Sequence, residues 1–233
     1  MVNNSKELMN NNGICRKIKL LQKSPDGIFG SFMTRPVSHF FAAASYKLHL
    51  SPNFVSFFSF VFCIAGGTIL LFHEIPYYLV ISITLWWLGA IFDAADGDLA
   101  RFVNGGTPFG GWFDSFLDRL KEFFIFSVLG YLAWKQYNEE IYLLLGLLSI
   151  FSNVMSGYIS DTKKIFISAK RKPEIVFSNK YSFGMVDTRD FVVIVSLIIG
   201  DFRIALITYS TLFASLIFFQ TLRFYLKYGK KTN

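Results

Sequence analysis

Apolar runs long enough to cross a bilayer are the feature that most constrains this chain. The sequence is 53% hydrophobic, and these residues are bunched into runs rather than dispersed. Runs of roughly 20 residues match the thickness of the hydrocarbon core when they form a helix. Six runs are predicted to be membrane-spanning helices, over residues 52–72, 76–94, 108–134, 141–159, 188–200 and 203–226. We therefore expect an all-α integral membrane protein.

Two segments precede the first predicted span. Residues 1–26 form a polar arm, rich in Asn and Lys, that we expect to be partly disordered. Residues 27–49 mix aromatic side chains with basic ones, which predicts an amphipathic helix in the membrane interface. A plain linker is the alternative for this segment. We thus divide the chain into the arm, 1–26, and one six-span domain with its juxtamembrane helix, 27–233.

The basic residues are distributed unevenly around the predicted spans. Most of the 23 Lys and Arg residues fall in the N-terminal segment, the 161–189 loop and the C-terminal end, which six spans place on one side. The opposite connections hold only Lys135 and Arg203. The positive-inside rule makes the basic side cytoplasmic, with both termini there. The net charge of +7 therefore indicates topology and contact with anionic lipid, and we expect no nucleic-acid partner.

Four aspartates lie where the second predicted span ends and the third begins, on the cytoplasmic side: Asp93, Asp96, Asp114 and Asp118. An ionised group near the bilayer centre costs about 2.5–3.5 kcal/mol, so these acids need a compensating partner. The i, i+3 and i, i+4 spacings put each pair on one helix face. A short turn through Gly105, Gly106 and Pro108 would make the two helices antiparallel neighbours, so the acidic faces can meet.

Carboxylates without His or Cys favour hard cations such as Mg²⁺ or Mn²⁺. Four carboxylates balance two such ions, which together form a clamp for displacement at phosphorus. Gly97 and Ala100 flank Asp96 and leave room there, and Arg101 can meet a phosphate bidentately. The combination suggests a nucleotide diphosphate over a metal pair. Close helix packing is the alternative role for the small residues, and we expect Asp98 and Glu122, outside the pattern, to be solvated.

These residues carry a family resemblance. The pattern Asp93-x2-Asp96-Gly97-x2-Ala100-Arg101-x8-Gly110-x3-Asp114-x3-Asp118 resembles, at every fixed position, the signature of the CDP-alcohol phosphatidyltransferases, also called CDP-alcohol phosphotransferases. Six spans and a Pro-Asn pair opening the first are similar to the family's layout. The resemblance implies an enzyme in which an acceptor hydroxyl attacks the β-phosphorus of a CDP-alcohol and CMP leaves, as in phospholipid biosynthesis.

The resemblance also implies roles for individual residues. Asp93, Asp96, Asp114 and Asp118 would hold two divalent cations, and Asp118 would also act as the base on the acceptor hydroxyl. The CDP moiety would be bound by Gly97, Ala100, Arg101 and Gly110, with Asn53 as a further neighbour. A homodimer is implied by resemblance alone.

The acceptor is less well defined. Four basic residues near the cytoplasmic face are our candidates for binding an acceptor phosphate: Lys163, Lys164, Arg189 and Arg223. Inositol phosphate and glycerol phosphate are acceptors of that kind. The segment from Asp26 through Arg35 and Ser38 to Asn53 resembles inositol-phosphate-type members, including the transferase half of di-inositol-phosphate phosphate synthases, but has His39 where those often have Arg. Three kinds of donor stay open: CDP-diacylglycerol, an archaeal CDP-lipid and a soluble CDP-alcohol.

Two other classes remain open. An intramembrane prenyltransferase also uses acidic motifs and Mg²⁺ on a diphosphate, but it favours a further Asp where this chain has Ala100, and more spans. A transporter tends to place ionisable groups at the membrane midplane on broken helices. Metal-dependent release of CMP would separate all three classes.

Overall fold

The fold is helical, with one very small sheet. The computed structural model describes residues 11–22, 26–72, 74–167, 175–176, 181–183 and 185–226. Its α-helices are α1 Asn11–Leu20, α2 Arg35–Lys47, α3 Pro52–Leu71, α4 Tyr78–Phe102, α5 Pro108–Tyr137, α6 Ile141–Ile167, α7 Met185–Ile199 and α8 Phe202–Phe224. A π-helix, Gly30–Thr34, leads into α2.

Three short strands, which the sequence did not predict, form a sheet in the order β1-β3-β2. They are β1 Asp26–Gly27, β2 Ile175–Val176 and β3 Tyr181–Phe183. Strand β1 pairs in parallel with β3, and β2 pairs antiparallel with β3. The sheet therefore ties the 161–189 loop to the segment before α2.

Four helices of the described chain are long and apolar enough to cross a membrane: Pro52–Leu71, Tyr78–Phe102, Ile141–Ile159 and Phe202–Phe224. This confirms a membrane protein built of helices. The third predicted span is helix α5, but its charged residues between Asp114 and Glu122 lower its hydropathy. The fifth predicted span is represented by a shorter apolar helix, Asp190–Ile199. The count of six spans therefore stays a prediction.

Local sequence explains where α3 starts and how it packs. The Ser51 side chain accepts a hydrogen bond from the Phe54 amide at 3.3 Å, and Pro52 occupies the first turn. Close approach to α4 depends on glycine, because a Cβ on Gly89 would lie 2.4 Å from Cys63 Sγ. Helix α4 then continues past the apolar run to Phe102, so it carries the acidic residues beyond the hydrophobic section.

The chain forms two compact units, residues 1–121 with 173–190, and residues 122–172 with 191–233. The first contains α1 to α4, the sheet and the start of α5. Its buried apolar cluster includes residues of α1, α2, α3 and α4: Ile14, Ile18, Ala42, Ala43, Val55, Ala95 and Leu99. Residues 11–20, expected to belong to a polar and partly disordered arm, are thus a packed helix, because Ile14 and Ile18 lie one turn apart on one face.

The second unit contains the rest of α5, α6, most of α7 and α8. Helices α5 and α6 approach closely at two glycines, where a Cβ on Gly146 would lie 3.2 Å from the Gly130 Cα. The start of α8 is capped by Asp201, whose side chain accepts from the Arg203 amide and pairs with the Arg203 guanidinium at 2.8 Å.

Candidate active site

The turn between α4 and α5 brings the predicted acidic residues together. Asn104, directly after α4, adopts a left-handed conformation with φ 51°. The Thr107 hydroxyl accepts a hydrogen bond from the Gly110 amide at 3.0 Å and so caps the first turn of α5. Helix α5 can then run back beside α4, which places its acidic residues against those of α4.

Three of the four aspartates form one cluster. Asp93, Asp114 and Asp118 each offer a carboxylate oxygen, and these three atoms lie within 4.8 Å of one another. All three residues are half-buried. Carboxylate oxygens at such spacing suit a hard divalent cation.

Asp96 lies outside that three-residue cluster, one turn beyond Asp93 on α4. It is 7% exposed, and its Oδ2 atom accepts no hydrogen bond from the residues that the structure describes. A buried acceptor left without a partner costs about 1–3 kcal/mol, so such atoms in native proteins are usually satisfied by water, an ion or a ligand. The oxygen ligands of the site therefore fit a divalent cation. Three carboxylates lie together, and a fourth is buried beside them.

Lys121 is a member of this site that the sequence analysis did not assign to it. Its Nζ atom lies 2.7 Å from Asp93 Oδ1 and 2.7 Å from Asp118 Oδ1, and it donates to Ser59 Oγ at 3.2 Å. The residue is only 8% exposed. The signal was present in the sequence, because Lys121 follows Asp118 at i+3 and therefore shares its helix face. The site thus combines four carboxylates with one buried ammonium group.

Small residues of α4 border an open space, as predicted. A cavity of about 470 Å³ is lined by Gly97, Ala100, Arg101, Asn104 and Gly106. The nearest side-chain atoms to a Cβ added at Gly97 belong to the Arg101 guanidinium, at 3.5 Å and beyond. The structure therefore brings three predicted nucleotide-binding residues to one cavity. Asn104 and Gly106 were not predicted, because a turn gives no periodic signal.

Asn53 and Gly110, also predicted to bind the nucleotide, lie against each other. A Cβ on Gly110 would lie 2.9 Å from Asn53 Oδ1 and 3.1 Å from Thr107 Oγ1. A side chain at position 110 would therefore displace the Asn53 amide from this place. These two residues are not among those that line the cavity beside Gly97.

Although Arg101 lines the cavity, its guanidinium is also bound by other groups of the protein. Its Nη2 atom lies 2.5 Å from Asp98 Oδ1, and its Nε donates to the Leu21 carbonyl at 2.9 Å. The expectation that Asp98 is solvated is wrong, because the residue is fully buried among hydrogen-bond donors. The same expectation is wrong for Glu122, which is 4% exposed in the second unit.

The acceptor candidates are not assembled into a described pocket. Lys163 and Lys164 lie on α6 and Arg189 on α7, but their side chains are outside the described residues. Arg223 lies in the last turn of α8 and is exposed. Their predicted role at the acceptor stays a prediction.

Comparison with known proteins identifies the kind of protein that has this arrangement. A family model described as CDP-alcohol phosphatidyltransferase matches residues 49–216, which is well over half of the chain and includes the whole acidic motif. An uncharacterized protein of Aquifex aeolicus (strain VF5) is 32% identical over 126 residues, covering 54% of this chain and 60% of that protein.

Two archaeal proteins, both named bifunctional IPC transferase and DIPP synthase, are also similar. The one from Archaeoglobus fulgidus is 25% identical over 198 residues, covering 83% of this chain and 37% of that protein. The one from Thermococcus kodakarensis is 36% identical over 77 residues, covering 33% of this chain and 17% of that protein. The chain therefore spans less than two thirds of each of these relatives.

Proposed function

Because the chain belongs to the CDP-alcohol phosphatidyltransferase family, we propose that it is a membrane phosphotransferase acting on a CDP-alcohol. It moves a substituted phosphate group from the CDP-alcohol to an acceptor hydroxyl and releases CMP. The observation that carries the proposal is the cluster of Asp93, Asp114 and Asp118, with buried Asp96 beside it, on the two helices that hold the family signature.

The four aspartates are proposed to hold two divalent cations, Mg²⁺ or Mn²⁺. The spacing of the three clustered carboxylates and the unpartnered Oδ2 of Asp96 support this assignment. When bound, such a pair neutralises the diphosphate and stabilises charge that develops on the attacking and leaving oxygens. Asp93 and Asp96 present their carboxylates from α4, and Asp114 and Asp118 present theirs from α5.

Asp118 is proposed to be the general base. Its carboxylate accepts the proton of the acceptor hydroxyl while that oxygen forms a bond to the β-phosphorus. The bond from this phosphorus to the CMP oxygen breaks, and CMP leaves with the bonding electrons. The Asp118 side chain is 31% exposed, so a soluble acceptor can reach it. Lys121, on the same face, holds the Asp118 carboxylate in a fixed position at 2.7 Å.

The donor nucleotide is proposed to occupy the cavity beside Gly97 and Ala100. Glycine and alanine let a ligand approach the α4 backbone closely, and Arg101 supplies a positive charge at the cavity wall. Asn53 and Gly110 would form a further part of the nucleotide site. CDP-diacylglycerol or a related CDP-lipid suits a site at a membrane surface.

The number of membrane spans and the side on which the site lies are part of the same proposal. Six spans would place the acidic motif, both termini and the 161–189 loop on the cytoplasmic side, following the distribution of Lys and Arg. We also propose that the segment 27–49 lies in the membrane interface; its residues 30–47 are helical, and the exposed Phe32, Phe40 and Tyr46 support this proposal. A homodimer is proposed from family resemblance alone.

The acceptor is proposed to carry a phosphate, as inositol phosphate or glycerol phosphate does. The resemblance of the segment before the first span to inositol-phosphate-type members supports this class. The names of the two archaeal relatives agree with it. Lys163, Lys164, Arg189 and Arg223 remain the candidates that would bind the acceptor phosphate.

The test is CMP release by the purified protein in detergent. We would supply CDP-diacylglycerol with inositol phosphate, glycerol 3-phosphate, serine or inositol, in Mg²⁺ or Mn²⁺ and in EDTA. Release with one acceptor, lost in EDTA, is expected. CDP-inositol and archaeal CDP-lipids would follow if no acceptor gave release. Diphosphate formed from a prenyl donor, without any CMP from these substrates, would overturn the proposal in favour of a prenyltransferase.

A further inference from the structure

We propose that Asp98 is a positioning residue, which orients Arg101 at the nucleotide cavity under the control of the segment before the first span. The inference rests on the proposed function, because it assigns a task within the same site. It concerns residues 22–38, which precede the stretch 49–216 that matches the family. A part of the chain outside the matched family region would thus set the affinity for the nucleotide.

Asp98 is surrounded by donors on every side. Its Oδ1 atom accepts from Arg35 Nη1 at 2.6 Å and from Arg101 Nη2 at 2.5 Å. Its Oδ2 atom accepts from Ser38 Oγ at 2.7 Å and from Gln22 Nε2 at 3.2 Å. The side chain has no exposed surface. Four donors fix the carboxylate in one orientation, and two of them are charged, which makes the contacts short and strong.

Arg101 is held from two directions by this arrangement. Asp98 fixes its Nη2 end, and the carbonyl of Leu21, just after α1, fixes its Nε. The Nη1 and Nη2 atoms lie 3.5 Å and 3.7 Å from where a Cβ on Gly97 would be. Arg101 also lines the cavity beside Gly97 and Ala100. With Nε and Nη2 engaged, the guanidinium is held at the cavity wall, where an anion can contact it.

Exposure explains how Arg101 can contact both Asp98 and an anion. Arg35 also pairs with Asp26 at 2.5 Å, so the network contains two guanidinium groups and two carboxylates. Arg101 is the most exposed member of the network, with 37% of its side chain accessible. An anion can approach it without breaking the buried contacts.

A purely structural role for Asp98 predicts something different. In that case Asp98 would only dock α1 and α2 onto α4, and losing it would lower stability without any specific link to Arg101. The two roles are separated by asking whether the effect of changing Asp98 on nucleotide binding requires Arg101. A double-mutant cycle answers that question directly.

The experiment measures the affinity of the purified, detergent-solubilised protein for CMP in the presence of Mn²⁺. The variants are Asp98→Asn, Arg101→Met and the double variant. We expect each single variant to bind CMP about tenfold more weakly, the loss typical of one charge-assisted hydrogen bond. The double variant should bind no more weakly than Arg101→Met alone. In turnover assays, Asp98→Asn should raise KM for the CDP-alcohol with kcat little changed.

Trp87→Phe is the matched control. It removes the hydrogen bond from Trp87 Nε1 to the Met33 carbonyl at 3.0 Å, another contact between α4 and the segment before α2. Its CMP affinity should equal that of the unaltered protein. If Asp98→Asn does not fold, Ser38→Ala replaces it, with a smaller loss, about threefold, that is again absent in the Arg101→Met background.

Losses that multiply in the double variant would overturn the inference, and so would an equal loss in Trp87→Phe. A protein that neither binds CMP nor releases it from any CDP-alcohol would instead overturn the proposed function itself. The two failures are therefore distinguishable.

Discussion

Replacing Lys121 with methionine tests how the acidic cluster is held together. The change removes an ammonium group that lies 2.7 Å from both Asp93 Oδ1 and Asp118 Oδ1, while a side chain of similar length stays in place. Breaking a buried ion pair by removing one partner costs about 3–5 kcal/mol. The Asp93 and Asp118 side chains are 42% and 31% exposed, so water screens part of the loss. We expect the metal-free protein to lose about 1–3 kcal/mol.

The same change should strengthen the attraction of the cluster for a divalent cation. The Lys121 ammonium directly contacts two of the carboxylates, and unit charges 4 Å apart interact by about 4 kcal/mol at an effective dielectric constant of 20. Removing this positive charge makes the site more negative. We therefore expect the half-saturating concentration of Mn²⁺ to fall at least tenfold, roughly 1.4 kcal/mol in binding free energy.

Thermal unfolding of the detergent-solubilised protein measures both effects. The Tm of Lys121→Met in EDTA should lie below that of the unaltered protein, and the rise in Tm with added MnCl₂ should be larger and occur at lower concentration. Lys121→Arg keeps the charge and should behave more like the unaltered protein. Lys135→Met, an exposed position on the same helix, is the control for losing a lysine. An unchanged Tm in EDTA together with an unchanged Mn²⁺ midpoint would refute this account.

Three further predictions address other parts of the molecule. Asp118→Asn should keep the protein folded, with a Tm lowered no further than that of Lys121→Met because the contact of Lys121 with Asp93 remains, and should lower CMP release about 10²–10⁴-fold, the range for a lost general base; normal release would remove Asp118 from that role. Gly97→Leu should fill the cavity and weaken CMP binding at least about tenfold while leaving the Mn²⁺-induced rise in Tm in place; Gly111→Ala, with open space around its Cβ, is the control. Asp201→Ala should lower stability by about 1 kcal/mol through loss of a helix cap, as measured by denaturant unfolding. The hydrogen bond from Arg203 holds the pKa of Asp201 below its usual range, so this contribution is complete above a pH of about 4 and is lost as the pH falls through the lower folded value.

The sequence predicted those parts of the fold that depend on local pattern. The apolar run over 52–72 located α3, and the i+3 and i+4 spacings anticipated that the acids of α4 and α5 meet. Helix α1 was missed because only two buried side chains, Ile14 and Ile18, distinguish it from a polar arm. The short strands were missed because two or three residues carry no usable alternation.

Burial of Asp98 could not be predicted, because its partners come from distant parts of the chain. Arg35 lies 63 residues earlier and Gln22 lies 76 residues earlier. Periodicity shows which helix face a residue occupies, but not which segment packs against that face. An isolated carboxylate near a helix end is expected to be solvated. Asp98 is buried instead because α1 and α2 pack against α4.

The carboxylates of helix α4 lie in two different environments on opposite faces of the helix, and helical geometry explains the difference. Residues two apart on an α-helix lie about 200° apart around its axis, so Asp98 faces away from Asp96. Asp98 faces Arg35 and Arg101, which satisfy its charge completely. The opposite face meets α5, where the Lys121 ammonium lies between Asp93 and Asp118. One face therefore gathers carboxylates, as a cation site requires, while the other uses its carboxylate to hold an arginine.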